Sequence, residues 1–155
     1  MIYYRNEVRK SGVDARSLKR TLEALLVALD ERGSTVSLTL VNDAAIRELN
    51  RVHRGKDAAT DVLSFPLYDD ADEAPVERVP ERMLGDIVIS LETAHRQAAA
   101  YDAPLQRELE RLLIHSVLHL LGHDHMEAGE RARMEAQERR LASVIGMPWP
   151  YEESA

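Results

Sequence analysis

The stretch LQRELERLLIHSVLHLLGHDH, residues 105–125, decides the fold class. Leu105, Leu112, Leu113, Val117, Leu118 and Leu121 fall at helical spacing and form a broad apolar face, and Pro104 suits the first turn of such a helix. A face that wide must be covered by other elements, and the segments upstream supply them. Residues 35–41 alternate Val36, Leu38 and Leu40 with Ser37 and Thr39, the period of a half-buried strand, and 61–65 and 85–90 read as two more strands.

The remaining helices follow from periodicity and caps. Residues 14–32 place Leu18, Leu22, Leu25, Leu26 and Leu29 on one helical face, with Gly33 as the expected left-handed cap. Asn42 or Asp43 caps a short helix to about residue 52, with Ile46 and Leu49 inward, and Ser90 caps another through about Tyr101. A last helix over about 127–145 is charged on one side and carries Met134, Leu141 and Ile145 on the other; Met134 reads as a core residue and Trp149 as a tail anchor. Residues 67–84, with Pro75, Pro80 and six acidic residues against two Arg, read as a solvated loop. Strands early and helices late predict an α+β fold, a small mixed sheet packed with helices, and 155 residues at 45% apolar content predict one domain over 1–155.

Composition narrows the function. No apolar run approaches membrane-spanning length and residues 1–7 lack a secretory pattern, so a cytoplasmic protein without membrane partners is expected. With no Cys, any metal must be held by His, Asp or Glu. The net charge of −7 argues against broad binding to nucleic acid, and no DNA partner is expected. The charge is uneven, however: residues 1–60 hold eleven Lys and Arg against eight Asp and Glu, leaving nine against nineteen for the rest.

Four of six His, namely His115, His119, His123 and His125, lie within eleven residues. On a helix His115 and His119 project from one face, close enough to chelate one ion, and Gly122 can end the helix and turn His125 back as a third ligand. Three imidazoles hold one zinc ion per chain and leave its fourth position open, which predicts hydrolytic chemistry rather than a closed structural site. His123 is given no ligand role. Asp124 admits two readings, a water-orienting carboxylate or a turn residue.

The pattern His115-x-x-x-His119-x-x-Gly122-x-x-His125 resembles the ligand frame of metzincin peptidases, but Ser116 stands where those enzymes have a Glu base. A wider resemblance includes Leu49-Asn50, His53-Arg54-Gly55-Lys56-Asp57, Thr60-Asp61-Val62-Leu63-Ser64-Phe65-Pro66, Leu84-Gly85-Asp86-Ile87, Arg107-Glu108-Leu109 and the histidine run. In these segments the chain resembles the YbeY family of bacterial endoribonucleases, or rRNA maturation factors. His53 and His123 depart from its frequent aromatics without touching a ligand. The resemblance implies a zinc-dependent, single-strand-specific endoribonuclease acting at the 3′ end of 16S rRNA and in ribosome quality control. It also implies His115, His119 and His125 as ligands and catalytic residues, Arg54 as the functional arginine, and the small ribosomal subunit, with ribosomal proteins, as partner.

Independently, Arg47, Arg51, Arg54 and Lys56 with His53 form a basic cluster, and the planar fork of Arg suits phosphate. Thr60, Asp61 and Ser64 are left out of the catalytic set, because polar residues on strands normally face water. Asp86 is open between capping a strand turn and supporting a ligand His. Two rival readings remain at this level: a zinc peptidase with an unusual base, and a ribosome-binding assembly factor whose metal is structural.

Overall fold

A computed structural model describes residues 1–67, 82–123 and 128–148. In chain order these form β1 (Ile2–Asn6), α1 (Ala15–Ala28), β2 (Thr35–Val41), α2 (Asp43–Arg54), β3 (Val62–Pro66), β4 (Met83–Ser90), α3 (Leu91–Ala100), α4 (Leu105–Leu120) and α5 (Ala128–Val144). The sheet runs β1-β2-β4-β3; β1, β2 and β4 are parallel and β3 is antiparallel to β4. This is the mixed sheet of an α+β fold, and among the described residues no helix is long and apolar enough to cross a membrane.

Strand β1 is the element that sequence periodicity does not announce. Ile2 and Tyr4 turn inward while Tyr3 and Arg5 face out, but five residues are too few for a decisive pattern, and the partner strand begins only at Thr35. Helix α1 also ends earlier than predicted. Asp30 takes a left-handed φ of 59°, Asp30 N–H donates to the Val27 carbonyl at 3.1 Å and Glu31 N–H to that of Leu26 at 2.7 Å. That paired closure needs one left-handed residue, and a short polar Asp accepts the conformation three positions before Gly33 does. Gly33 serves instead in the turn into β2.

The sheet carries helices on both faces, in unequal amounts. Leu38, Leu40, Ile87 and Ile89 pack with Leu22 and Leu25 of α1, Leu112, Leu113 and Val117 of α4, and Met134 and Leu141 of α5 in the main core. At about 1.5–3 kcal/mol for each fully buried large apolar side chain, this layer carries most of the stabilisation. The opposite face holds a cluster of four buried residues, Val41, Ile46, Leu63 and Val88, with Leu49 and Phe65 against it. Asp86 is exposed, and its pleat neighbour Val88 belongs to that smaller cluster, so Asp86 lies across the sheet from α4 and supports no histidine there.

Gly85 lets the two layers approach. Its φ is +151°, and a Cβ at this position would stand 2.3 Å from the Phe65 carbonyl oxygen and 2.8 Å from Leu120 Cδ2. Only a residue without a side chain allows the last turn of α4 to lie so close to β3 and β4.

Candidate active site

Helix α4 points its buried face at the sheet and leaves His115 and His119 one turn apart beside β3. Their rings meet edge to face with centroids 4.4 Å apart, and the two Nε2 atoms are 3.0 Å from each other. Two nitrogens on one tetrahedral zinc, each bound at about 2.0–2.1 Å, lie roughly 3.3 Å apart. The pair therefore fits a shared divalent ion with little rearrangement. Gly122 closes α4 at a φ of 94°, with His123 N–H donating to the Leu118 carbonyl at 3.0 Å, so the chain turns where the spacing predicts. His125 and Asp124 lie outside the described residues, as do 68–81 of the acidic loop and Trp149.

Ser116 is fully buried, and its hydroxyl has no hydrogen-bond partner among the described residues. It is turned into the core rather than into the cleft that His115 and His119 line. His123 is half-buried; burial first, then the charge of Arg133, holds its imidazole below the ordinary pKa. Met134 sits in the main core, as its spacing predicts.

Opposite the histidines stands the end of α2. The Asn42 side chain accepts from Ala45 N–H at 2.9 Å to start this helix, and Gly55 ends it at a φ of 70°. The helix runs two residues beyond the predicted 52, which makes Arg54 its last residue. One Arg54 Nη donates to the Ser64 carbonyl at 2.9 Å, and its guanidinium carbon lies 5.8 Å from the centre of the Phe65 ring. Strand β3 thus fixes the arginine by its backbone and by an aromatic face.

Two other arginines of the basic cluster are spent locally, and the His53 ring packs edge-on against Phe65 with centroids 5.1 Å apart. Arg47 makes a two-pronged contact with Asp57 at 2.7 and 3.2 Å, and Arg51 pairs with Glu48. Both pairs are solvent-exposed and raise the arginine pKa values, through hydrogen bonds first and charge second.

Arg54, His115 and His119 line one cleft of about 380 Å³, together with Thr60, Asp61 and Ser64. On sequence grounds the last three carry no catalytic role; Ser64 lies on β3 and Thr60 and Asp61 just before it, and periodicity does not distinguish a polar residue there that faces water from one that faces a cleft. Asp61 accepts from Val62 N–H at 2.8 Å and lies 3.6 Å from Arg111, which in turn binds the fully buried Glu108 at 2.7 Å. Arg111, His115 and His119 succeed one another every four residues, so one stripe of α4 faces the cleft and its margin. A residue missed altogether is Glu138 of α5, whose Oε2 stands 3.4 Å from His115 Nδ1.

A pair of imidazoles facing an arginine across a polar cleft is a setting for phosphate chemistry, and comparison with known proteins agrees. The family described as endoribonuclease YbeY matches residues 3–146. The chain belongs to the endoribonuclease YbeY family. Similar members include the endoribonuclease YbeY of Moorella thermoacetica, 48% identical over 84% of this chain and 86% of the relative. That of Carboxydothermus hydrogenoformans is 44% identical over 89% and 92%. The solution structure of TM1509 from Thermotoga maritima superposes with a TM-score of 0.65 at 30% identity, covering 94% of this chain and 90% of that one.

Proposed function

We propose that this YbeY family member cleaves phosphodiester bonds in single-stranded rRNA, using one zinc ion held by His115, His119 and His125 with Arg54 opposite. The coarser statement, an RNA-cleaving hydrolase, is the activity that its relatives are named for. The observation that carries the finer one is the single cleft with two convergent Nε2 atoms on one wall and a fixed guanidinium on the other.

When bound, zinc would supply a Lewis acid for a phosphoryl oxygen and for the attacking oxygen. The protein's own residues do the rest. His115 and His119 hold their ring nitrogens toward one point, and the Arg54 fork meets the phosphate as negative charge builds on it. Thr60, Asp61 and Ser64 present hydroxyl and carboxylate groups along the path of the strand. RNA brings a 2′-hydroxyl, and the product ends report the nucleophile: a 2′,3′-cyclic phosphate marks that hydroxyl, a 5′-phosphate marks water. Peptide hydrolysis is disfavoured, because the residue after His115 is an inward-facing Ser.

In this reading residues 1–155 work as one cytoplasmic domain at the 3′ end of 16S rRNA and in ribosome quality control. A net charge of −7 gives little attraction for free RNA, so the small subunit and its proteins supply part of the targeting. The test is incubation of metal-replete protein with end-labelled single-stranded rRNA fragments and a duplex control. Cleavage confined to the single strand, and lost on chelation and in His119→Ala, is the expected result. Equal cleavage by the chelated protein or the variant would refute the metal-dependent reading.

A further inference from the structure

Helix α5 is a charged helix with a narrow inward stripe. Met134 and Leu141 are fully buried, and position 138 lies between them at one helical turn from each, where the period calls for an apolar residue. The residue is Glu138, 5% exposed. Burying a carboxylate is costly unless a partner meets its charge or its lone pairs. The buried carboxylates of α4 are met within their own helix, Glu108 by Arg111 at 2.7 Å and Glu110 by Arg107 at 3.1 Å. Glu138 instead reaches across to another helix and to the Nδ1 atom of His115 at 3.4 Å, while Nε2 of that same ring faces His119 at 3.0 Å.

A neutral imidazole donates at one nitrogen and accepts at the other, and its neighbours select which. A carboxylate beside Nδ1 selects the form protonated there, which leaves the Nε2 lone pair directed at the point shared with His119. We propose that Glu138 is a positioning residue for a divalent cation at the His115–His119 pair, fixing the tautomer and orientation of His115 from outside the ligand set. The proposal rests on the metal reading above and explains why a charge occupies the buried stripe of α5. A carboxylate behind a ligating histidine also raises its basicity, and loss of such a partner generally weakens metal binding about 10–100-fold.

The test compares the full-length parent with Glu138→Ala and Glu138→Gln. Zinc affinity is measured by competition with a chromophoric chelator, and long-range 1H–15N spectra of the metal-free proteins report the His115 tautomer. Glu138→Ala should bind zinc about 10–100-fold more weakly and shift His115 toward the Nε2-protonated form. Glu138→Gln keeps the volume and an acceptor oxygen without the charge, and should fall between Ala and parent. Circular dichroism of the metal-free variants separates these effects from misfolding. A zinc-binding parent with two folded variants of unchanged affinity overturns this proposal alone. So does a parent whose His115 is protonated at Nε2. A parent that takes up no zinc overturns the metal reading and this proposal together.

Discussion

The two walls of the cleft are built on different foundations. The histidine wall is a stripe of α4, a sixteen-residue helix whose other side is embedded in the main core. The arginine wall is the last residue of α2, a helix that packs on the sheet through a cluster of only four buried residues, its own Ile46 among them. This helix is held at its start by polar contacts of Asp43, and it meets β3 through the Arg54 side-chain hydrogen bond to the Ser64 carbonyl and the Phe65 ring. Local opening follows apolar contact, so the arginine side should yield before the histidine side does. A metal site needs ligands held to within tenths of an ångström, whereas a phosphate contact tolerates adjustment, and the two cores are apportioned accordingly.

The strongest way to break this arrangement is at the point both walls share. Gly85→Ala puts a Cβ against the Phe65 carbonyl and Leu120 at once, in a backbone conformation that L residues rarely adopt. Overpacking and backbone strain together should cost about 3–5 kcal/mol, lowering Tm by roughly 10 °C in thermal unfolding. A variant as stable as the parent would show that α4 can move off the sheet without harm.

Phe65→Leu sharpens the comparison by touching one wall only. Loss of the ring beside Arg54 removes about 0.5–1 kcal/mol of cation–π attraction, so RNA cleavage should fall about two- to fivefold while zinc affinity stays at the parent value. A change in zinc affinity instead would mean that the walls are not independent.

The start of α2 offers a milder probe. Burial works to raise the Asp43 pKa, but hydrogen bonds from Ser90, Thr93 and Arg96 and the charge of Arg96 outweigh it and hold the carboxyl below its ordinary value. A lowered folded pKa gives stability that is present above the unfolded value and is lost as the pH falls through the folded one. Asp43→Asn should therefore be less stable than the parent at neutral pH, with the gap closing in acid. A gap that persists in acid would assign the effect to packing. The smallest effect is expected at Arg47 and Asp57, an exposed pair: Asp57→Asn should leave the cleavage rate within about twofold of the parent.

The same contrast explains what could be read from the sequence. Strand β2 matches its predicted bounds because three apolar residues alternate with two polar ones, and the His115, His119 and Gly122 geometry follows from helical spacing alone. Features that depend on partners far along the chain were not legible. Strand β1 acquires meaning only beside β2, and Thr60, Asp61 and Ser64 gain a role only once α4 lies against β3. Arg54 stands out from its cluster in the sequence only through the family resemblance; the physical distinction, Arg47 and Arg51 paired with Asp57 and Glu48, appears in the fold. Glu138 did leave a signal, a carboxylate on the same helical stripe as Met134 and Leu141, but in a helix rich in charge it passes for solvated surface.

The central claim is that both walls act on one phosphate, the histidines through the metal and Arg54 directly. It is tested most directly by measuring zinc content and single-strand rRNA cleavage together in Arg54→Ala. The account predicts one equivalent of zinc, as in the parent, with cleavage reduced by about 10²–10³-fold, the usual cost of removing one charge-stabilising group. Parent-level cleavage by the zinc-loaded variant would contradict it.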